Sequence, residues 1–282
     1  MYLEGLTSDA QKHGYIIYLP KIGLPAHPKS YRPLTILNTD YNILRRIIAN
    51  RLRIRMEEVM RHNQYCGRNN KSIYEAVATI RDIIAYAEDT QKPICLLSID
   101  FKDALDNISH TYLFNILREH GISDTFCERL KTIYPDATSN LTLNGLTSIP
   151  IKTASGVRQG CPLSMILFVL CINPLLIKLD SKIHAIKVRN NTTKTTAVAY
   201  ADDIAIFIAH PGEIDVIKEI LHEYMNATGA RVNGDKSRAM ALGSLIKTTP
   251  IMNIKYYEDI KILGFHMTAN VNDSAKKNHG QC

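Results

Sequence analysis

The stretch Ala197-Val198-Ala199-Tyr200-Ala201-Asp202-Asp203-Ile204-Ala205-Ile206-Phe207-Ile208 decides the fold. A polar Asp202-Asp203 pair is followed by Ile204, Ile206 and Ile208 at alternate positions, the pattern of a β-hairpin with carboxylates at its turn. Neighbours on a straight strand point to opposite faces, so only a turn lets two consecutive carboxylates serve one site. A third carboxylate has a matching context: Ile94 to Ile99 is a short, β-rich apolar run that ends in Asp100. Gathering three carboxylates is costly unless protons or cations neutralise them. Hard divalent cations accept such an all-oxygen environment, and nucleotide phosphates complete their coordination. The competing reading makes Asp202-Asp203 a solvated turn and Asp100 a strand-end cap. For either piece alone that reading prevails, because aspartate is common in turns.

Outward from these carboxylates the chain mixes strands and helices. Tyr15–Leu19 and Leu34–Leu37 read as strands joined by a Gly/Pro-containing connection from Gly23 to Pro28. Apolar spacing predicts helices over Tyr41–Arg61, Ser72–Glu88 and Ser109–His120, the last with Asp106 or Ser109 near its cap. Asn144-Gly145, between the alternating apolar residues of Leu141–Ile151, signals a hairpin. Pro162 stands at the start of a long apolar helix, in keeping with proline's preference for the first turn. Glu213–Thr228 is an amphipathic helix stopped at Gly229, and a short strand follows near Ile260–Phe265. The tail Asn270–Cys282 reads as frayed. Without a regular strand-helix alternation, the fold class is α+β.

At 282 residues and 45% hydrophobic, the chain can bury a sizeable core. The net charge of +7 suits a polyanionic partner without proving one. Arg45, Arg46, Arg51, Arg53, Arg55 and Arg61 crowd one helical segment, where a phosphate-facing surface and a plain solvated face are equally good readings. Cys66, Cys95, Cys127, Cys161, Cys171 and Cys282 form no C-x-x-C pair, which predicts reduced thiols and no zinc site. The polar, acidic start Met1–Asp9 has no secretory pattern. The apolar run Pro162–Ile177 is shorter than the roughly 20 residues of a membrane span and reads as a buried helix. The expectation is a soluble intracellular protein, of nucleus or cytoplasm, with no membrane partner.

The pieces occur in a recognisable order. Leu97-Ser98-Ile99-Asp100-Phe101-Lys102-Asp103-Ala104 resembles the first catalytic motif of reverse transcriptases. Ser155-Gly156-Val157-Arg158-Gln159-Gly160-Cys161-Pro162-Leu163-Ser164 resembles the second, and Tyr200-Ala201-Asp202-Asp203 the third. Thr228 to Ser237 is similar to the fourth and Leu263-Gly264-Phe265 to the fifth. Upstream, Tyr31-Arg32-Pro33-Leu34, Asp40-Tyr41-Asn42-Ile43-Leu44 and Ala49-Asn50-Arg51-Leu52 resemble the fingers of non-LTR, LINE-type retrotransposon enzymes. The ordered set runs from about Tyr15 to Thr268.

The resemblance implies a right-hand polymerase: an antiparallel palm sheet packed by helices, with a mixed fingers subdomain. It implies one reverse transcriptase domain over 1–282, with fingers at about 1–93 and 110–154, palm at about 94–109 and 155–268, and a frayed tail at 269–282. Asp100, Asp202 and Asp203 would surround two Mg2+ ions, with Mn2+ as the alternative, and Phe101 would lend its carbonyl. Asp100 and Asp202 rank above Asp203 as ligands. Lys21 and Arg32 would contact the incoming triphosphate, as cations on a group that gains charge. Asp103 and Ala104 would offer backbone N–H groups to the same phosphates, Gln159 would lie against the nucleotide sugar and template pair, and Lys236 would give a proton to pyrophosphate. Partners would be an RNA template, a DNA primer and dNTPs.

Three departures qualify the resemblance. Leu105 stands where the family usually places an aromatic that blocks a ribose 2′-hydroxyl, which predicts weaker exclusion of ribonucleotides. Gln64-Tyr65-Cys66-Gly67-Arg68 matches the family only in part and receives no substrate role. Few residues follow the fifth motif, so a thumb is expected to be absent and synthesis poorly processive. Other palm polymerases, or a nucleic-acid-binding remnant without turnover, are the competing functions.

Overall fold

The computed structural model describes residues 8–21, 30–132, 138–152, 155–188, 194–246 and 253–278. The Gly23–Pro28 connection and Cys282 lie outside them.

A short helix α1 (Asp9–Lys12) precedes strands β1 (Gly14–Pro20) and β2 (Tyr31–Leu37) and the long helix α2 (Thr39–Val59). Tyr41, Leu44, Ile48, Leu52 and Met56 recur every three or four residues on α2 and form its buried stripe. Helix α3 (Ile73–Thr90) starts at Ser72, whose side chain accepts the Glu75 N–H, and ends at Gln91 in the left-handed conformation. Strands β3 (Ile94–Ile99) and β4 (Phe101–Lys102) flank Asp100. Helices α4 (His110–Glu119) and α5 (Asp124–Lys131) are each capped by a serine, Ser109 and Ser123. Then come β5 (Thr138–Leu143), β6 (Leu146–Thr147), β7 (Ile151–Lys152) and helix α6 (Ser164–Lys182). The rest comprises β8 (Ile186–Lys187), β9 (Lys194–Thr195), β10 (Ala197–Tyr200), β11 (Asp203–Ile208), α7 (Glu213–Thr228), β12 (Arg231–Val232), β13 (Arg238–Leu242), β14 (Asp259–Ile262), β15 (Phe265–Thr268) and α8 (Val271–Asn278).

The chain divides into two compact units. One comprises residues 1–59 and 105–171. Its sheet runs β2-β1-β5-β6, with β7 also on β5; β1 is antiparallel to β2 and parallel to β5, so the sheet is mixed. The β5–β6 turn is Asn144-Gly145, both at positive φ, the two-residue hairpin that this dipeptide favours.

The other unit comprises residues 60–104 and 172–282, and its main sheet, β10-β11-β3-β13, is wholly antiparallel. Ala76, Val77, Ile80, Ile83 and Ile84 of α3 join Leu96, Val198, Phe207 and Met240 in one buried cluster on one face of this sheet. The opposite face, with Leu97, Ile99, Ala199, Ile204, Ile206 and Ala239, is buried as well. Each large apolar side chain so enclosed contributes about 1.5–3 kcal/mol.

These units cut the chain differently from the expected subdomain boundaries. Helix α3 clusters with the antiparallel sheet because its apolar face covers that sheet, whereas 105–109 and 155–171 cluster with the mixed sheet. The expected frayed tail is corrected in part: Val271–Asn278 is helical, and Asn278 exchanges hydrogen bonds with the backbone of His266. The single strand expected at Ile260–Phe265 is a hairpin, β14–β15, turning at Leu263-Gly264. Helix α6 starts after Pro162 and continues through Pro174 to Lys182. It is the one described helix long and apolar enough to cross a membrane, but Leu167, Phe168, Leu170, Leu176 and Leu179 are buried, as in a core helix. The five described cysteines are unpaired and buried, and burial pushes the Cys66 and Cys95 thiols up to about 11.

Candidate active site

In the β10–β11 hairpin Tyr200 pairs with Asp203, leaving a two-residue loop, Ala201-Asp202. Ala201 has φ 55° and Asp202 does not share a positive φ, the pattern of a loop whose first position normally takes glycine. In the next ladder Ile204 pairs with Ile99, so one further step along the register sets Asp203 opposite Asp100. The strand end and the hairpin tip therefore meet.

The electrostatics record that meeting. The Asp203 carboxyl is pushed up to about 6, first by loss of hydration, then by repulsion from Asp202 and Asp100, with Lys236 pulling the other way. Asp203 keeps an open side to solvent, so screening by water blunts the energy behind that shift.

Asp100 is held at three atoms. Its N–H donates to Ser237 Oγ (3.1 Å), its carbonyl accepts the Asn233 N–H (2.8 Å), and its Oδ1 accepts from Asn233 Nδ2 (3.1 Å). The turn that supplies these partners is closed by Lys236 and Ser237 N–H groups donating to the Asn233 carbonyl. Phe101 pairs with Val232 across β4–β12, and its ring packs at a tilt on Tyr224, 5.6 Å between centroids. Asp103, exposed and at φ 45°, and buried Ala104 follow immediately. Asp100, Phe101, Asp103, Ala104, Asp202, Asp203 and Lys236 thus belong to one unit.

The remaining expected residues belong to the other unit. Lys21 is exposed at the end of β1, its N–H donating to the Ser30 carbonyl (2.7 Å), and Arg32 is exposed on β2 opposite Leu19. Leu105 is half-buried and its carbonyl accepts the Val157 N–H (2.7 Å). Gln159 donates from Nε2 to Asp106 Oδ2 (3.2 Å), and its carbonyl accepts the Thr35 N–H (3.0 Å).

Among the described residues no three His, Cys, Asp or Glu side chains converge as a ready-made metal cage. The donor chemistry nevertheless fits Mg2+, which is bound through one or two carboxylates plus substrate phosphates rather than by an all-protein cage. A cation beside Asp202 and Asp203 would also relieve the repulsion that raises the Asp203 carboxyl.

Three supporting residues were not singled out from the sequence: Asn233, Ser237 and Gln64. Gln64 is fully buried, and its Oε1 accepts N–H groups from Cys66 (2.9 Å) and Ala201 (3.2 Å). The only available signal was their place in, or beside, the motif stretches.

The family model described as reverse transcriptase (RNA-dependent DNA polymerase) matches residues 12–267. The chain belongs to the reverse transcriptase family. A Xenopus laevis relative, "Transposon TX1 uncharacterized 149 kDa protein", is 32% identical over 80% of this reverse transcriptase chain and 17% of its own length. The "Retrovirus-related Pol polyprotein from type-2 retrotransposable element R2DM" of Drosophila melanogaster is 26% identical over 90% of this chain and 25% of its own. The first name is that of a transposon protein and the second bears out the resemblance to retrotransposon enzymes; the chain spans a quarter or less of either relative. In fold, apo telomerase of Candida tropicalis, truncated from its C-terminal domain, superposes with a TM-score of 0.65 at 13% identity, covering 94% of this chain and 55% of that one. Telomerase of Candida albicans with a fragment of telomeric RNA gives 0.64 at 14% identity, covering 95% and 46%.

Proposed function

We propose that this reverse transcriptase chain is the fingers-and-palm core of an RNA-directed DNA polymerase of a LINE-type retrotransposon, acting inside the cell on an RNA template, a DNA primer and dNTPs. The observation that carries the reading is the register that pairs Ile204 with Ile99 and so brings Asp203 to Asp100, with a carboxyl pushed up to about 6 by burial first and then by Asp202 and Asp100.

Asp100 and Asp202 are the principal ligands for two Mg2+ ions, with Mn2+ as a substitute; Asp203 and the Phe101 carbonyl complete the set. When bound, such a pair supplies activation of the attacking hydroxyl and charge neutralisation at the leaving pyrophosphate. The chain's own residues hold the reactants. Asn233 and Ser237 fix Asp100 at backbone and side chain. Asp103 and Ala104 N–H groups, Lys21 and Arg32 bind triphosphate oxygens, where positive charge gains value as the leaving group gains negative charge. Lys236, exposed and within electrostatic reach of Asp203, hands its proton to pyrophosphate as the bond between the α-phosphorus and pyrophosphate breaks, while the primer 3′-hydroxyl bonds to that phosphorus and loses its own proton to solvent. Gln159 steadies the sugar and template pair, and Leu105 sets sugar selectivity.

Primer extension on an RNA template tests this directly. Mg2+-dependent incorporation of dNTPs that Asp202→Asn abolishes is the expected result, and Leu105→Phe is expected to raise dNTP over rNTP preference. A signal that survives Asp202→Asn contradicts the assignment of the site. Duplex binding with no extension by the parent chain points instead to a binding remnant.

A further inference from the structure

The loop over residues 61–66 is tied down from two sides. The Arg61 N–H donates to Asn173 Oδ1 (3.0 Å), its Nε donates to Asp180 Oδ2 (2.8 Å), and Asn63 Nδ2 donates to Asp180 Oδ1 (3.2 Å). The C-terminal half of α6 therefore anchors the loop. On its other side the Asn63 carbonyl accepts the Ala199 N–H (2.8 Å) and the Tyr65 N–H donates to the Ala199 carbonyl (2.9 Å). The loop thereby covers the outer edge of β10, the end strand of its sheet, which would otherwise present unpaired backbone groups.

Between those two bonds sits Gln64. Its Oε1 accepts two N–H groups at once, one from Cys66 within the loop and one from Ala201 at the hairpin tip. Ala201 holds φ 55°, a conformation an L-residue keeps only when its surroundings over-determine it. Gln64 Nε2 has no partner among the described residues, so the acceptor oxygen makes the polar contacts of this amide.

We propose that Gln64 is a positioning residue of the catalytic hairpin: it locks Ala201 in its left-handed conformation and thereby sets Asp202 in place as a cation ligand. The role given to Asp202 rests on the polymerase reading; the lock on Ala201 does not. A leucine at 64 fills nearly the same volume but accepts nothing, so it separates locking from mere packing.

The test combines hydrogen exchange on the full chain with Mn2+ titration followed by water-proton relaxation. In Gln64→Leu the amides of residues 199–204 are expected to exchange about tenfold faster while those of 94–99 keep their rate. The Mn2+ concentration for half-saturation is expected to rise about tenfold, the usual scale for losing a residue that orients a ligand. Adding Ala201→Gly, which tolerates positive φ without strain, is expected to restore most of the lost Mn2+ affinity. Unchanged exchange at 199–204, or a loss of affinity that the glycine does not relieve, overturns the proposal. If the parent binds no Mn2+, the polymerase reading fails while the exchange data still decide the role of Gln64. Should Gln64→Leu not fold, Gln64→Asn, one methylene short of both N–H groups, is measured in the same way with the same expectations.

Discussion

Asp203 loses hydration and is crowded by two other aspartates, and its carboxyl is pushed up from 3.8 to about 6. A group whose folded-state pKa is raised favours folding while protonated. Its contribution to stability is therefore fully present below about pH 3.8 and is lost as pH rises through about 6. Asp203→Asn is accordingly expected to raise the urea midpoint of the metal-free chain at neutral pH, with the gain shrinking toward pH 4, and to lower primer extension. A gain that does not depend on pH would contradict the burial and crowding that raise this carboxyl. The three aspartates were legible in the sequence because each is framed by apolar, β-rich runs. Asn233, Ser237 and Gln64 were not, since a polar residue in a loop carries no periodicity, and its partners appear only when distant segments meet.

Most elements that bury a wide apolar face were legible, α2, α3, α6 and α7 among them. The missed elements are short or weakly patterned. Strand β13, Arg-Ala-Met-Ala-Leu, has no β-branched residue, although it pairs with β3 from Ile94 to Ser98. Helix α8 reads as a frayed tail from sequence because it is held by bonds to the backbone of the preceding hairpin rather than by an apolar stripe. The turn before α6 shows how strictly a loop can be specified. Gly156 has φ +77°, and a Cβ there would lie 2.5 Å from backbone atoms of Asp106. Gly156→Ala is expected to lower stability by on the order of 1–3 kcal/mol, read from the urea midpoint. Gly234→Ala, where an added Cβ meets nothing within 4 Å, is the matched control and is expected to stay within about 0.5 kcal/mol of the parent.

For the molecule as a whole, the charge of +7 becomes informative once the arginines of α2 are sorted by exposure. Arg45 is buried with its guanidinium 4.1 Å from the centre of the Tyr41 ring. Arg55 donates to the His120 carbonyl, and Arg61, just beyond the helix, pairs with Asp180. Arg46, Arg51 and Arg53 remain exposed. Replacing these three with glutamine is expected to weaken binding to an RNA–DNA duplex equally across sequences and to lower the slope of log affinity against log salt by about 2–3. An unchanged slope would show that the helix is a plain solvated face. The sulfur inventory has a practical consequence of its own. Alkylating agents attack thiolates, and the five described cysteines are all shielded, so a maleimide finds none of them open to attack in the folded chain. A cysteine introduced at exposed Ile149 would then carry a fluorophore with those native thiols left in place, and their delayed labelling in denaturant would serve as a clock for unfolding.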